Sequence, residues 1–295
     1  MNLSSPVFQV AVVGVGNMGG GMARNLLAKG WPVRVFDIDA AKMQALAALG
    51  ALACGNAAEA AANALVTIVC VVDAVQTQDV LFGAQGIASA MPLGHAVLLC
   101  PTLAPLDVER FARDLIPHGL HLIDAPMSGG PLRATDGSMS LMVACPQVVF
   151  ERHKSLITAL SDKVFHVSER VGDGARTKLV NNLLAGINLV GAAEVLVMAQ
   201  KMGLDVGKTL DVIEHSSGQS WIGSDRMRRA LQNDYAPHAH MTLLEKDTRL
   251  AIDAATAAGF HGPLGSSARD TFANASAGGL ASEDDAALFK WLGKH

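Results

Sequence analysis

The sequence predicts an α/β fold in which a doubly wound parallel sheet is followed by an all-helical domain. Up to residue 168, short Val/Ile/Leu-rich runs alternate with helical segments, as a parallel sheet covered on both faces requires. After residue 168 no further strand-like run occurs, and helical patterns continue to the C-terminus. We therefore predict two domains, residues 1–168 and residues 169–295.

The elements of the first domain can be placed individually. Strand-like runs lie at residues 7–13, 32–39, 65–72, 95–100, 120–127, 138–145 and 163–168. Helical segments lie at residues 18–30, 74–83, 105–119 and 147–161. The second domain opens with a helix from about Ala175 that links the two domains. This helix has no charged residue from Leu179 to Ala193, so we expect it to be buried between the domains or in a subunit interface.

Composition limits the classes of partner. The chain has 295 residues, 50% hydrophobic and 17% charged, with a formal net charge of -4 and no basic tract. These values favour a soluble globular protein that binds a small molecule, and they exclude nucleic acid and anionic membranes as expected partners. Residues 1–10 contain no side-chain cation and lead into a strand, so we predict no targeting segment and a cytoplasmic location.

Metal binding is not expected. The cysteines are widely spaced, form no C-x-x-C pair and mostly end apolar runs, as small buried hydrophobic residues do; they are Cys54, Cys70, Cys100 and Cys145. The histidines form no ligand cluster, and the nearest two, His238 and His240, have no companion ligands. We predict neither a disulfide nor a metal site.

A glycine-rich segment follows the first strand. Gly14, Gly16 and Gly19 form G-x-G-x-x-G, in which the first glycine suits a tight turn, the second close approach of a pyrophosphate and the third close helix packing. The helix that begins there directs its N-terminal N–H groups at the phosphates. We predict that this Rossmann-type loop binds a dinucleotide, with Asn17 and Met18 as its other contacts.

Asp37 ends the second strand-like run, about 20 residues after the glycine motif, where a carboxylate that binds the ribose 2′-hydroxyl is expected. Such a carboxylate repels a 2′-phosphate, so NAD is predicted over NADP. The alternative for Asp37 is a solvated loop acid.

A second glycine pair occurs in DAPMSGGPLRAT. Ser128, Gly129 and Gly130 offer a hydroxyl and unhindered backbone N–H groups, which together suit a carboxylate. A β-turn without a ligand explains the same residues equally well. Arg133 is near enough to reach an anion, although an exposed arginine is the simpler interpretation.

Lys178 stands near the start of the long apolar helix, in VGDGARTKLVNN. Asn182 is its i+4 neighbour, and the small residues Ala185 and Gly186 continue the same face and leave space beside it. Burial and the helix dipole both lower the pKa of a lysine at this position, which suits proton transfer. The alternative is a lysine that extends to solvent from the end of a buried helix. Farther along the chain, Lys246 and Asp247 indicate only a solvated helix face.

Taken together, GVGNMGGGMARNL, DAPMSGG, GDGARTKLVNN and the pair Lys246-Asp247 resemble the β-hydroxyacid dehydrogenase family, which includes 3-hydroxyisobutyrate dehydrogenases and tartronate semialdehyde reductases. The resemblance covers nearly the whole chain. VVDAVQTQDVLFG, SGQSWIGSDRMRRALQNDY and ASEDDAALFKWL are more similar to the L-threonate dehydrogenase branch.

The resemblance implies a role for each matching residue. Lys178 is implied as the catalytic lysine, Asn182 as a catalytic and substrate-binding residue, and Ser128, Gly129 and Gly130 as the substrate carboxylate site. Cofactor contacts are implied for Val71, Val72, Thr102 and Lys246.

We accordingly expect NAD-dependent oxidation of a small hydroxy acid, with L-threonate converted to 2-oxo-threonate, by a homodimer or homotetramer. Oxidation of 3-hydroxyisobutyrate and reduction of tartronate semialdehyde are the alternatives within enzymes. A non-catalytic NAD-binding scaffold is the alternative outside them. Ser220, Trp221 and Arg133 are candidates for reading the far end of the substrate.

Overall fold

The structure, a computed structural model, describes residues 10–294. They form two compact units, of which the first ends at Lys178 and the second begins at Leu179. Residues 1–9 lie outside the described part, and with them the start of the first predicted strand and the segment in which no targeting signal is expected.

The first unit contains the predicted α/β sheet. Its strands in the described residues are β1 (Val10–Val13), β2 (Val33–Phe36), β3 (Leu52–Ala53), β4 (Val66–Val69), β5 (Ala96–Leu99), β6 (His121–Asp124), β7 (Met127–Ser128), β8 (Ser140–Ala144) and β9 (Lys163–Ser168). The spatial order is β3-β2-β1-β4-β5-β6-β8-β9, with β7 also paired to β8. All pairs from β3 to β6 are parallel. From β1 the chain adds β2 and β3 on one side and then β4, β5 and β6 on the other. This is the doubly wound arrangement that the sequence predicts.

Helices cover both faces of this sheet. They are α1 (Asn17–Ala28), α2 (Ala40–Ala47), α3 (Ala57–Ala61), α4 (Ala74–Phe82), α5 (Pro105–Leu115), α6 (Gly130–Asp136) and α7 (Gln147–Leu160). Val10 and Val12 of β1 pack in one core with Met22 of α1, whereas Val13 packs in the other with Phe111 of α5. Because successive strand residues point to opposite faces, two cores form and β1 is buried on both sides.

One detail of the sheet differs from the prediction. The run 120–127 is interrupted between β6 and β7, where Pro126 has no N–H to contribute to a ladder. β8 then returns antiparallel to both parts, pairing Ala144 with Asp124 and Leu141 with Met127. This edge of the sheet is therefore mixed rather than parallel.

The second unit is helical, as predicted. After α8 (Asp173–Lys201), in which the boundary between the units falls, it contains α9 (Val206–Glu214), α10 (Trp221–Leu231), α11 (Met241–Ala257), α12 (Pro263–Ala275) and α13 (Leu288–Gly293). Its core includes Leu189 and Leu196 of α8, Met227 of α10 and Phe272 of α12. Between residues 179 and 294 the β-pairing is an isolated bridge of His240 with Asp284.

α8 is buried along part of its surface only. Leu189 and Ala193 are fully buried, whereas the side chain of Val180 is 73% exposed and that of Met198 is 56% exposed. By length and composition α8 is apolar enough to cross a membrane, with a mean hydropathy of 1.7 in an 18-residue window. The core helix of a soluble protein meets the same criterion, and α8 contributes directly to the core of the second unit.

Candidate active site

The glycine-rich loop has the geometry that each glycine predicts. Gly14 has φ +86°, and a Cβ there would lie 2.5 Å from the carbonyl oxygen of Cys70. A Cβ on Gly19 would overlap the carbonyl oxygen of Gly14, so only glycine permits this approach of α1 to the loop. Gly16 precedes α1, and a Cβ placed on it would meet no atom within 4 Å. The loop is therefore tight where it packs and open where a phosphate would approach the N-terminus of α1.

Asp37 lies beside this loop. Its Oδ2 accepts a hydrogen bond from the N–H of Val15 at 2.7 Å, and its Oδ1 accepts one from the N–H of Asp39 at 2.9 Å. The carboxylate is thus fixed at the end of β2 next to the glycine turn, unlike a freely solvated loop acid. An open glycine, a helix N-terminus and an adjacent carboxylate fit the phosphates and ribose of a dinucleotide.

The neighbouring strand ends complete this edge of the sheet. Val71 follows β4, and its Cγ1 would lie 3.1 Å from a Cβ added to Gly14. Val72 is exposed, and Thr102, which follows β5, is partly exposed. Burial raises the pKa of the Cys70 thiol to about 12, so this side chain stays neutral and presents an apolar surface next to the glycine-rich loop. The four cysteines are free thiols; Cys54, Cys100 and Cys145 are buried, and Cys70 is partly exposed.

Ser128, Gly129 and Gly130 form the turn where β7 passes into α6: Ser128 ends the strand and Gly130 begins the helix. Gly129 has φ +128° and Gly130 has φ +77°, so the backbone itself requires glycine at both positions. All three residues are partly exposed. A Cβ on Gly129 would lie 2.8 Å from Cδ of Arg133, so this arginine lies against the turn rather than in open solvent. Both interpretations of the turn, anion site and conformational turn, are compatible with this geometry.

Asp124, which the sequence did not single out, caps the start of α8. Its Oδ2 accepts hydrogen bonds from the N–H groups of Gly172 at 2.9 Å and Ala175 at 3.0 Å. A Cβ on Gly174 would lie 2.9 Å from the Asp124 carboxyl carbon, so glycine permits this close contact. Because Asp124 is almost fully buried, its pKa is raised to about 7, against the effect of the N–H bonds.

Ion pairs attach the same turn of α8 to α5. Arg176 lies 2.6 Å from Glu109 on α5 and 3.1 Å from Asp173. Arg170 lies 2.8 Å from Asp173, and its hydrogen bond lowers the pKa of that carboxyl. These contacts and Asp124 fix the segment that carries Lys178, which is only 6% exposed.

Asn182 lies one turn after Lys178 on α8 and is also buried. Its Nδ2 donates a hydrogen bond to Oδ2 of Asp247 at 2.6 Å, and its Oδ1 accepts one from Nδ2 of Asn181 at 3.0 Å. Oδ1 of Asp247 lies 3.1 Å from Nζ of Lys246. Asp247 therefore joins two residues, Asn182 and Lys246, that the sequence assigned to different parts of the site.

The interpretation of Lys246-Asp247 as a solvated helix face is wrong for Asp247, which is 7% exposed. Helical spacing could have indicated this, because Asp247 falls between the buried residues Leu244 and Ala251 on α11.

Ser220, a candidate for substrate contact, caps α10 by accepting a hydrogen bond from the N–H of Gly223. In the described residues no three His, Cys, Asp or Glu side chains converge on a common point.

Both units match known protein families. Residues 9–168 match the family model described as the NAD binding domain of 6-phosphogluconate dehydrogenase. Residues 172–292 match the model described as NAD-binding of NADP-dependent 3-hydroxyisobutyrate dehydrogenase. The fold and the glycine-rich loop therefore place the protein in the class of dehydrogenases that use a nicotinamide dinucleotide.

Individual relatives specify this class further. The chain is 36% identical to the L-threonate dehydrogenase of Cupriavidus necator, with 95% of each chain covered. It is 29% identical to the 2-hydroxy-3-oxopropionate reductase of Escherichia coli, over 96% of this chain and 97% of the relative. A solved structure named 3-hydroxyisobutyrate dehydrogenase from Salmonella typhimurium has a TM-score of 0.91 and 34% identity, over 96% of this chain and 99% of that one. The chain belongs to the β-hydroxyacid dehydrogenase family and is an oxidoreductase of hydroxy acids.

Proposed function

We propose that the protein oxidises L-threonate to 2-oxo-threonate with NAD. The observation that carries the chemistry is a buried lysine, Lys178, one helical turn before an amide, Asn182, which is itself held by Asp247. The similarity to L-threonate dehydrogenase over 95% of both chains supports this choice of substrate. Reduction of a semialdehyde and oxidation of 3-hydroxyisobutyrate are the alternatives that the other relatives favour.

In the proposed mechanism, Nζ of Lys178 accepts the hydroxyl proton during oxidation and returns it during reduction. The amide of Asn182 donates a hydrogen bond to the same oxygen and orients it. The turn of Ser128, Gly129 and Gly130 binds the substrate carboxylate, which makes proton transfer a positioned, near-unimolecular step. A nicotinamide held by the loop from Gly14 to Gly19 would supply the acceptor for the substrate's carbinol hydride.

Cofactor contacts are proposed at the sheet edge described above. The loop from Gly14 to Gly19, including Asn17 and Met18, binds the pyrophosphate, and Val71, Val72 and Thr102 flank the cofactor. Asp37 binds the adenosine ribose and disfavours a 2′-phosphate, so NAD is proposed over NADP. Lys246 is a further proposed cofactor contact.

The second unit is proposed to bind substrate and to assemble the protein, with the sequence boundary between the domains at residues 168 and 169. A groove of about 640 Å³ lies between α8, α9 and α10, and apolar side chains such as Val195, Met198 and Leu210 line it. Met198 and Met202 remain 56% and 67% exposed. Because apolar area of this kind is stabilised by burial, we propose that a second copy covers it in a homodimer or homotetramer. A cytoplasmic location is part of the same proposal.

The proposed function is tested by turnover of a panel of three- and four-carbon acids with NAD and NADP in parallel. L-Threonate presents several hydroxyls, whereas 3-hydroxyisobutyrate presents a methyl group that needs an apolar pocket, so kcat/KM separates them. The expected result is highest kcat/KM with L-threonate and NAD. A higher value with 3-hydroxyisobutyrate, or with tartronate semialdehyde assayed in the reductive direction with NADH, would replace the substrate, and failure of every compound in the panel to react would indicate a non-catalytic scaffold.

The role of Lys178 is tested by Lys178→Ala, for which we expect kcat to fall about 10²- to 10⁴-fold, as for loss of a general acid/base. The matched control is Lys201→Ala, at the exposed end of the same helix, which should retain turnover. Near wild-type kcat in Lys178→Ala would contradict the mechanism.

A further inference from the structure

Asp247 is a buried acid to which the proposed mechanism gives no role in proton transfer or substrate binding. It lies on α11, where its Oδ2 accepts a hydrogen bond from Nδ2 of Asn182 at 2.6 Å, whereas its buried Oδ1 lies 3.1 Å from Nζ of Lys246 without a hydrogen bond. A buried carboxylate costs free energy of solvation unless its partners replace water. The position of this carboxylate beside Asn182 therefore needs an explanation.

The contact decides which way the Asn182 amide faces. A side-chain amide has a donor end and an acceptor end of almost the same shape, and its surroundings select between the two orientations. An ionised carboxylate only accepts hydrogen bonds, so it selects the orientation with Nδ2 towards Asp247. On the other side, Asn181 donates to Oδ1 of Asn182 at 3.0 Å. This bond is compatible with the orientation that the carboxylate selects, whereas the Asn181 amide, which has a donor and an acceptor end itself, does not select one alone.

Packing between α8 and α11 keeps the two residues close. One turn after Asn182, a Cβ on Gly186 would lie 2.7 Å from Cγ2 of Thr248. Thr248 is fully buried and its hydroxyl donates to the carbonyl oxygen of Leu244 at 2.7 Å. The helices therefore approach each other closely one turn from the Asn182–Asp247 pair, as the hydrogen bond between these side chains requires.

We propose that Asp247 is a positioning residue: it takes one N–H of the Asn182 amide and thereby directs the second N–H to the reacting hydroxyl oxygen of the substrate. This inference rests on the role of Asn182 in the proposed function. Asp247 itself touches no reacting atom. Its other contact, with Lys246, gives a competing role as a counterion for a cofactor-binding lysine, and the two roles predict different kinetics.

The test is a double-mutant cycle of Asp247→Asn and Asn182→Ala in the full-length protein. Asp247→Asn keeps the side-chain shape but can donate as well as accept, so the Asn182 amide loses its fixed orientation. We expect kcat for the hydroxy acid to fall about 10-fold or more, as for one misdirected hydrogen bond in a transition state, while KM for NAD changes less than about threefold. In the Asn182→Ala background the same substitution should change kcat less than about twofold.

The control is Asp253→Asn on the same helix, whose side chain is 64% exposed and lies 3.7 Å from Arg249; it should leave all parameters unchanged. Thermal unfolding verifies that Asp247→Asn is folded, and fluorescence titration with NADH verifies that it binds the cofactor. If it does not fold, Asp247→Glu keeps the charge for Lys246 but moves the carboxylate by one methylene. It is expected to reduce kcat with NADH affinity unchanged.

The contrary outcomes are distinguishable. If Asn182→Ala alone leaves kcat unchanged, the proposed role of Asn182 is wrong and the inference about Asp247 is overturned with it. If Asn182→Ala reduces kcat but Asp247→Asn reduces it by the same further factor in both backgrounds, only the inference is overturned. If Asp247→Asn raises KM for NAD, and does so in the Asn182→Ala background as well, Asp247 acts as the counterion of Lys246 and the inference is overturned.

Discussion

The Asp124 carboxylate, at the end of β6, accepts a hydrogen bond at 3.0 Å from the backbone N–H of Ala175, in the first turn of α8. A second bond, from the N–H of Gly172 at 2.9 Å, involves the same oxygen. One buried side chain of the sheet thus replaces the backbone partners that the first turn of a helix lacks. Lys178 begins the next turn, so its position depends on this cap.

We expect Asp124→Ala to lower the free energy of unfolding by about 1–3 kcal/mol, because it leaves buried N–H groups without an acceptor. Urea denaturation followed by circular dichroism measures the change. Asp114→Ala, which removes an exposed acid of α5 that lies 3.7 Å from Arg110, is the control and should change stability by less than about 0.5 kcal/mol. Equal effects of the two substitutions would contradict the capping role.

The same residue predicts a pH dependence of stability. Burial raises the pKa of Asp124 from 3.8 to about 7, so between these values the folded protein retains a proton that the unfolded chain has released. The contribution of this group to stability therefore decreases as pH rises from about 4 to about 7 and levels off above that. Asp124→Asn is neutral throughout, so its stability relative to wild type should increase across this range. Urea denaturation of both proteins at several pH values measures the difference, and a constant difference would contradict the prediction.

Gly16→Ala and Gly19→Ala separate cofactor binding from folding. A Cβ on Gly19 would collide with the Gly14 carbonyl oxygen, so we expect a loss of about 1–3 kcal/mol of stability. A Cβ on Gly16 meets no atom within 4 Å, so Gly16→Ala should fold normally but bind NADH at least about 10-fold more weakly. Thermal denaturation and NADH fluorescence titration measure the two effects. Normal NADH affinity in Gly16→Ala would exclude pyrophosphate binding at this loop.

Asp37→Ser should reduce the preference for NAD over NADP. Serine retains an oxygen close to the N–H of Val15, which Asp37 binds at 2.7 Å, but it carries no charge to repel a 2′-phosphate. We expect kcat/KM to fall about 10-fold with NAD and to rise with NADP. Parallel steady-state assays with both cofactors give the ratio, and an unchanged ratio would contradict the assignment.

Met198→Lys should weaken the proposed assembly. A lysine in the apolar groove of α8 places a charge where a second copy would bury it, so we expect a smaller mass at micromolar concentrations. Size-exclusion chromatography with light scattering measures the mass. Val148→Lys, at an exposed apolar position of α7, is the matched control and should not change it. A wild-type protein that is monomeric throughout this concentration range would rule out the proposal.

Much of the fold was predictable because its signals are local. Apolar runs indicated the parallel strands β1, β2, β4, β5 and β6, and the spacing of Gly14, Gly16 and Gly19 indicated a turn whose crowding the structure then showed. The short elements β3, α2, α3 and α6 were not anticipated, because a segment of two to eight residues is too short to display a clear period. The antiparallel return of β8 was missed because strand direction depends on pairing partners rather than on the run itself.

The α/β and helical units, the glycine-rich loop and the candidates Lys178 and Asn182 could be inferred from the residues alone, since each depends on residue type and on spacing along one element. The cap of Asp124 on α8 and the bond of Asp247 to Asn182 emerge only from the folded chain, because they join residues 51 and 65 positions apart. An aspartate has the same chemical character in solvent and in a core. Its role is set by which donors the fold brings within hydrogen-bonding distance, and that information does not reside in the neighbouring residues.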